Sequence, residues 1–161
     1  MRYQMRQKLV SFGDDFTIKD RGGRPVYYVD GRALALRQRL EMRDTQGNEV
    51  AEIRERFVSL LKTYDIYRDG RHFATLSKQI SIFRDRFEVD VPGPNDYSVR
   101  GNILDYEYSI YRQGQQVAQV SKGWFTIRDS YGIDIVAGED DVIILATAVV
   151  LDLITHNTGE G

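Results

Sequence analysis

Apolar and polar residues alternate in short runs along this chain, and each run breaks at a polar stretch carrying a glycine. The glycines fall at 22, 47, 70, 93, 114 and 132. Upstream of them lie the apolar pairs Phe16/Ile18, Leu40/Met42, Tyr64/Ile66, Phe87/Val89, Tyr108/Ile110 and Phe125/Ile127. Downstream, four and six residues after the glycine, lie Val26/Tyr28, Ala51/Ile53, Ala74/Leu76, Tyr97/Val99 and Ala118/Val120; the sixth unit keeps only Val136. A period of two around a glycine-bearing turn predicts a β-hairpin with one buried face. Residues 2–8 add a further strand, with Tyr3, Met5 and Gln7 on one face. Six hairpins spaced about twenty residues apart predict a meandering antiparallel sheet.

The pattern changes after Gly138. Three acids, Glu139, Asp140 and Asp141, precede VIILATAVVLDLIT at 142–155. The acids suit the positive end of a helix macrodipole, and the run that follows is apolar on every side. At about twenty residues a bilayer span is longer, and Asp152 interrupts this one. A helix over about 139–155 that is apolar all round must be buried all round. The two observations combine into one fold: mainly β, a closed antiparallel barrel of roughly twelve strands around a central C-terminal helix. Ala51, Ala74 and Ala118 leave room for it on the barrel's inner face. The domain is single, spanning 1–155, with residues 156–161 as a fraying tail.

Two segments repeat closely at an offset of 44 residues, YDIYRDGRHFATLSKQ at 64–79 and YSIYRQGQQVAQVSKG at 108–123, with eight of sixteen positions identical. Shared structural demand on two hairpins of one barrel accounts for this. An old duplication accounts for it too, and would place Lys78 and Lys122 at matching positions.

Composition narrows the chemistry. Lys plus Arg is 22 against 24 acids, so no global charge bias points to nucleic acid or to an acidic surface. There is no cysteine, which excludes thiol chemistry and disulfides. The opening MRYQMRQK has no apolar leader. The expectation is a cytoplasmic domain with no transmembrane segment, peripheral at a membrane surface if it binds lipid. No GxSxG, P-loop, HExxH or dinucleotide fingerprint occurs, and the only histidines, His72 and His156, sit beside a turn and in the tail. The reading is therefore no enzyme, no catalytic residue, no metal ligand and no cofactor. Asp14-Asp15 and Glu139–Asp141 read as turn and helix-start charge rather than a cation site. Asp152 is expected to reach solvent at the barrel mouth or to pair with an arginine, because a lone carboxylate pointing inward needs a partner.

The barrel of hairpins with its closing apolar helix resembles the LURP-one-related family. The resemblance is carried by GDDFTIKDRGGRPVYYVDGRALALR at 13–37, LEMRDTQGNEVAEI at 40–53, GNILDYEYSIYRQGQQVAQVSKGWFTIRDSYGIDI at 101–135, and the helix. That family is similar in fold to the Tubby C-terminal domain and to phospholipid scramblases, which implies a twelve-stranded barrel around a hydrophobic helix. Tubby domains bind phosphoinositides through surface basic residues, scramblases are linked to lipid transport, and plant members to defence. A scramblase-like cysteine cluster is absent, and no Tubby-like N-terminal extension is expected.

Lys78, Arg84, Arg86, Lys122 and Arg128 lie in the two matching halves near hairpin ends. Converging, they would form a site for anionic phospholipid head groups or another phosphate-bearing ligand. Arg32, Arg37 and Arg39 form a second basic stretch, and the aromatics Tyr27, Tyr28, Trp124 and Tyr131 raise a nucleic-acid surface that the neutral charge argues against. The functional expectation is a non-catalytic binding domain. The alternative is a protein-interaction or structural module without a small ligand. Oligomeric state is not legible.

Overall fold

The computed structural model describes residues 1–7, 16–34, 37–56, 61–79, 86–124 and 130–157. Among these, twelve strands and one helix follow in order: β1 Arg2–Gln7, β2 Phe16–Asp20, β3 Pro25–Leu34, β4 Arg37–Asp44, β5 Glu49–Glu55, β6 Thr63–Arg68, β7 Arg71–Gln79, β8 Arg86–Asp90, β9 Tyr97–Asn102, β10 Glu107–Arg112, β11 Gln115–Ser121, β12 Ser130–Ile135 and α1 Asp141–Asn157. Each strand pairs antiparallel with its neighbours in sequence. β1 pairs with both β2 and β12, which closes the barrel.

Alternation sets the inner face. The upstream pairs of the first five hairpins, from Phe16/Ile18 to Tyr108/Ile110, are buried, as are Tyr3 and Met5 of β1. Downstream of Gly47, Gly70, Gly93 and Gly114 the expected pairs also point inward. The first hairpin differs by one residue. Asp20 Oδ1 accepts the N–H groups of Gly22 and Arg24, at 2.8 and 3.0 Å, and it is Gly23 that takes the left-handed conformation, with φ of 80°. Counting from Gly23, the inward residues are Tyr27 and the fully buried Val29, while Tyr28 faces out. The β4–β5 hairpin repeats this turn, with Asp44 Oδ1 accepting from Gln46 and Asn48 and Gly47 left-handed. Asp69-Gly70 and Gln113-Gly114 instead have positive φ at both residues, the signature of a type I′ turn.

The sixth expected hairpin is corrected outright. Gly132 lies inside β12, opposite Gln4 and Ser121, and Val136 is half exposed beyond the strand. Period two alone does not tell a glycine in a strand from one in a turn. Phe125 and Ile127 lie outside the described residues. Four hairpins carry a register shift at the same place, just after Ile18, Met42, Ile66 and Ile110. Such bulges sharpen the right-handed twist and help a sheet curl shut.

α1 fills the barrel. Ile143, Ile144, Leu145, Val149, Val150, Leu151, Leu153 and Ile154 are all buried. Their transfer from water contributes roughly 1.5–3 kcal/mol each before ordering entropy is subtracted. Thr147, buried among them, donates its hydroxyl to the Ile143 carbonyl at 2.8 Å. The helix lies closest to β5 and β12, and Ala51 of β5 is fully buried against the interior. The helix starts at Asp141 and runs to Asn157, two residues later at each end than expected. Asp140 sets the start: its side chain accepts the Ile143 N–H at 3.3 Å and its carbonyl accepts from Ile144. No helix among the described residues is long and apolar enough to cross a membrane.

Candidate functional site

The barrel has two ends, and α1 meets them differently. At its N-terminal end the three acids are each bound by the wall. Arg112 of β10 donates to both oxygens of Glu139, at 2.6 and 3.0 Å. Arg68 of β6 donates to Asp140 at 2.6 Å, and the Tyr3 hydroxyl of β1 to Asp141 at 2.5 Å. Burial first, and Asp141 second, push the Tyr3 phenol far above its ordinary value. These acids are structural anchors beside an open depression of about 510 Å³ whose rim includes Arg68 and Val136. Among the described residues no cluster of three metal-ligating side chains exists. Asp14 and Asp15 lie outside them.

At the other end Asp152 is buried rather than exposed at the barrel mouth, and the Tyr106 hydroxyl donates to its Oδ1 at 2.5 Å. Tyr106 adopts a left-handed φ of 56°, which costs a bulky side chain about 1–3 kcal/mol. Its ring stacks at 4.7 Å on Tyr131, and the Lys122 ammonium lies 5.1 Å from it on the π system. Tyr131 and Tyr108 are buried beside the carboxylate. Desolvation first, then the charge of Asp152, pushes both phenols well above 10.0. The Tyr131 hydroxyl has no hydrogen-bond partner among the described residues.

The basic candidates divide between faces. Lys78 follows Ala74 and Leu76 in the inward phase of β7, at the rim, and pairs with Phe87. Lys122, one residue beyond the end of β11, follows Ala118 and Val120 in the same phase and is exposed. The repeat thus places both lysines at the same end of the barrel, but on strands four apart in the wall. Arg86 is in the outward phase of β8 and exposed. Arg84 and Arg128 lie outside the described residues. Sequence reasoning missed Arg100. It stands on β9 directly opposite Arg86, is exposed, and lies 5.2 Å over the ring of Tyr111. Neither Arg86 nor Arg100 makes an ion pair among the described residues. Register extends the row to Gln79 on β7 and Ser109 on β10, so hydrogen-bonding side chains span four strands.

Elsewhere on the wall, several arginines are consumed locally. Glu41 and Glu52 face each other on the outward side of β4 and β5, yet both are buried. Arg43 bonds Glu41, while Arg54 and Arg39 both bind Glu52, all at 2.5 Å. The Arg54 bond first, with Arg39 assisting against burial, holds Glu52 below the usual carboxylate range. Of the second basic stretch, Arg39 is therefore occupied; the side chains of Arg32 and Arg37 lie outside the described residues. The four aromatics form no common exposed face, since Tyr131 is buried and Trp124 has Arg2 at 4.3 Å over its ring. His72 bonds Thr75 at 2.8 Å and lies 3.3 Å from Asp65, on the outer wall. The side chain of His156 is outside the described residues.

A closed twelve-stranded antiparallel barrel around its own C-terminal helix is a distinctive class of domain. The family model described as LURP-one-related matches residues 1–152, and the chain belongs to that family. It is 32% identical over 153 residues to the uncharacterised protein YxjI of Bacillus subtilis (strain 168), covering 95% of this chain and 93% of that one. The X-ray structure of an Arabidopsis thaliana protein, AT5G01750, superposes with a TM-score of 0.69 at 17% identity, over 95% of this chain and 91% of the other. This second likeness concerns the fold alone.

Proposed function

We propose that the domain is a non-catalytic binding module for a phosphate-bearing group, presented by lipid head groups at a cytoplasmic membrane surface. The observation that supports this reading is the Arg86–Arg100 pair. Like charges directly opposite on a sheet repel, whereas Arg39, Arg43, Arg54 and Arg56 each rest on a carboxylate. An exposed guanidinium pair with no carboxylate partner among the described residues presents two planar forks, the geometry that suits phosphate oxygens. Lys122 stands at the rim of the same end of the barrel, with Lys78 four strands away. Each cation near an anionic surface adds about 1 kcal/mol of attraction, screened by salt.

Cosedimentation with phosphatidylcholine vesicles, alone or carrying phosphatidylserine or phosphoinositide, tests this at low and near-physiological salt. Soluble inositol phosphate and inorganic phosphate serve as separate arms. The expected result is salt-sensitive binding to the anionic vesicles, weakened by Arg86→Gln with Arg100→Gln and by Lys78→Ala with Lys122→Ala. Binding to soluble phosphate without vesicle binding would reassign the source of the ligand. Binding to none of these would overturn the reading in favour of a protein-interaction module.

A further inference from the structure

We infer that Tyr106 couples occupancy of the anion site to the packing of the last turns of α1, an inference that rests on the binding reading above. Three observations meet at this side chain. Lys122 lies 5.1 Å from its ring. Its hydroxyl donates to Asp152, a carboxylate buried in the core helix. Its backbone is held in a left-handed conformation, with the N–H bonded to the Ile103 carbonyl at 3.1 Å, so that loop geometry is spent on keeping the ring between lysine and aspartate.

The physical link is polarisation. A cation on the face of a phenol draws electron density from the ring and makes its O–H a stronger donor. An anion that takes Lys122 away from the ring weakens the bond to Asp152, and with it the tether on the helix end. Binding therefore works against the tether, and by linkage the tether works against binding.

The test compares wild type with Tyr106→Phe, which keeps the ring and removes the hydroxyl. Affinity for phosphatidylserine-containing vesicles is measured beside amide hydrogen exchange over α1. In the wild type, vesicle binding accelerates exchange in the last two turns of the helix. In Tyr106→Phe that response disappears, and affinity rises by roughly fivefold. A residue with only a structural role would lower stability without tightening binding. Asp152→Asn, which keeps an acceptor but removes the charge, shifts affinity in the same direction by less and stands in if Tyr106→Phe does not fold. Equal affinity in variant and wild type, or an unchanged exchange response, overturns the coupling while leaving the binding reading intact. Absence of wild-type binding removes both.

Discussion

Arg112 grips Glu139 with two parallel hydrogen bonds, fixing β10 to the residue that leads into the core helix. Forty-four residues earlier in the repeat, Arg68 reaches the next acid, Asp140, with a single hydrogen bond. The two most similar segments of the chain thus supply equivalent arms that hold one helix start. Glu139 is the more enclosed acid, with 9% of its side chain exposed against 33% for Asp140. Removing its partner strands a poorly hydrated carboxylate. Arg112→Ala is expected to lower the thermal unfolding midpoint more than Arg68→Ala, which differential scanning calorimetry measures directly.

The opposite helix end yields a contrast between two tyrosines. Tyr106→Phe deletes a hydrogen bond to a buried carboxylate and should cost about 1.5–3 kcal/mol in urea unfolding. Tyr131→Phe deletes a buried hydroxyl that bonds to nothing among the described residues, and should be neutral or stabilising by up to about 1 kcal/mol. Equal losses in the two variants would contradict the assignment of Tyr106 as the tether.

Much of this architecture is legible in the alternation of residues, because a closed barrel imposes one buried face on every strand. Phe16/Ile18 through Tyr108/Ile110 follow that rule without exception. Where the reading slips, a local bond decides. Asp20 caps the first turn and moves the left-handed residue from Gly22 to Gly23, shifting the inward pair by one. The helix acids read as dipole complements. Their true partners include Arg68 and Arg112, which stood at identical repeat positions and were the available signal. Arg100 left no such trace, since only strand register brings it opposite Arg86. Nor does composition announce the left-handed Tyr106.

Glycine placement gives a backbone test. Gly101 of β9 has a φ of 133°, and a Cβ there would lie 2.7 Å from the Glu107 carbonyl oxygen and the Tyr108 Cα of β10. Gly70 has a φ of 71° with open space around it. Gly101→Ala should cost more than about 2 kcal/mol through strain and backbone collision, and Gly70→Ala only about 1–2 kcal/mol. Chemical denaturation of the two variants sets the order.

Stability should fall at both extremes of pH. Asp44, capped chiefly by the Asn48 amide, Asp20, capped chiefly by the Arg24 N–H, and Glu52, bonded chiefly by Arg54, all titrate below their ordinary values. Their stabilisation is present above the ordinary carboxylate values of 3.8 and 4.5 and is lost as pH falls through the lower folded ones. Tyr97 and Tyr27 are pushed upward by burial first and then by nearby acids. Their stabilisation is complete below pH 10.0 and is lost as pH rises beyond it. Unfolding midpoints measured across pH should form a plateau bounded by these two declines, and Asp20→Asn with Asp44→Asn should soften the acid side.

The most direct measurement is vesicle affinity for two doubly neutralised variants of equal net charge. One is Arg86→Gln with Arg100→Gln; the other is Arg21→Gln with Arg71→Gln, at turns of the opposite barrel end. Neither control arginine makes an ion pair among the described residues, so both variants remove two exposed charges. The account predicts that binding to phosphatidylserine vesicles falls sharply in the first and stays near wild type in the second. Equal loss in both would reduce the effect to net charge, and no loss in the first would contradict a site on β8 and β9.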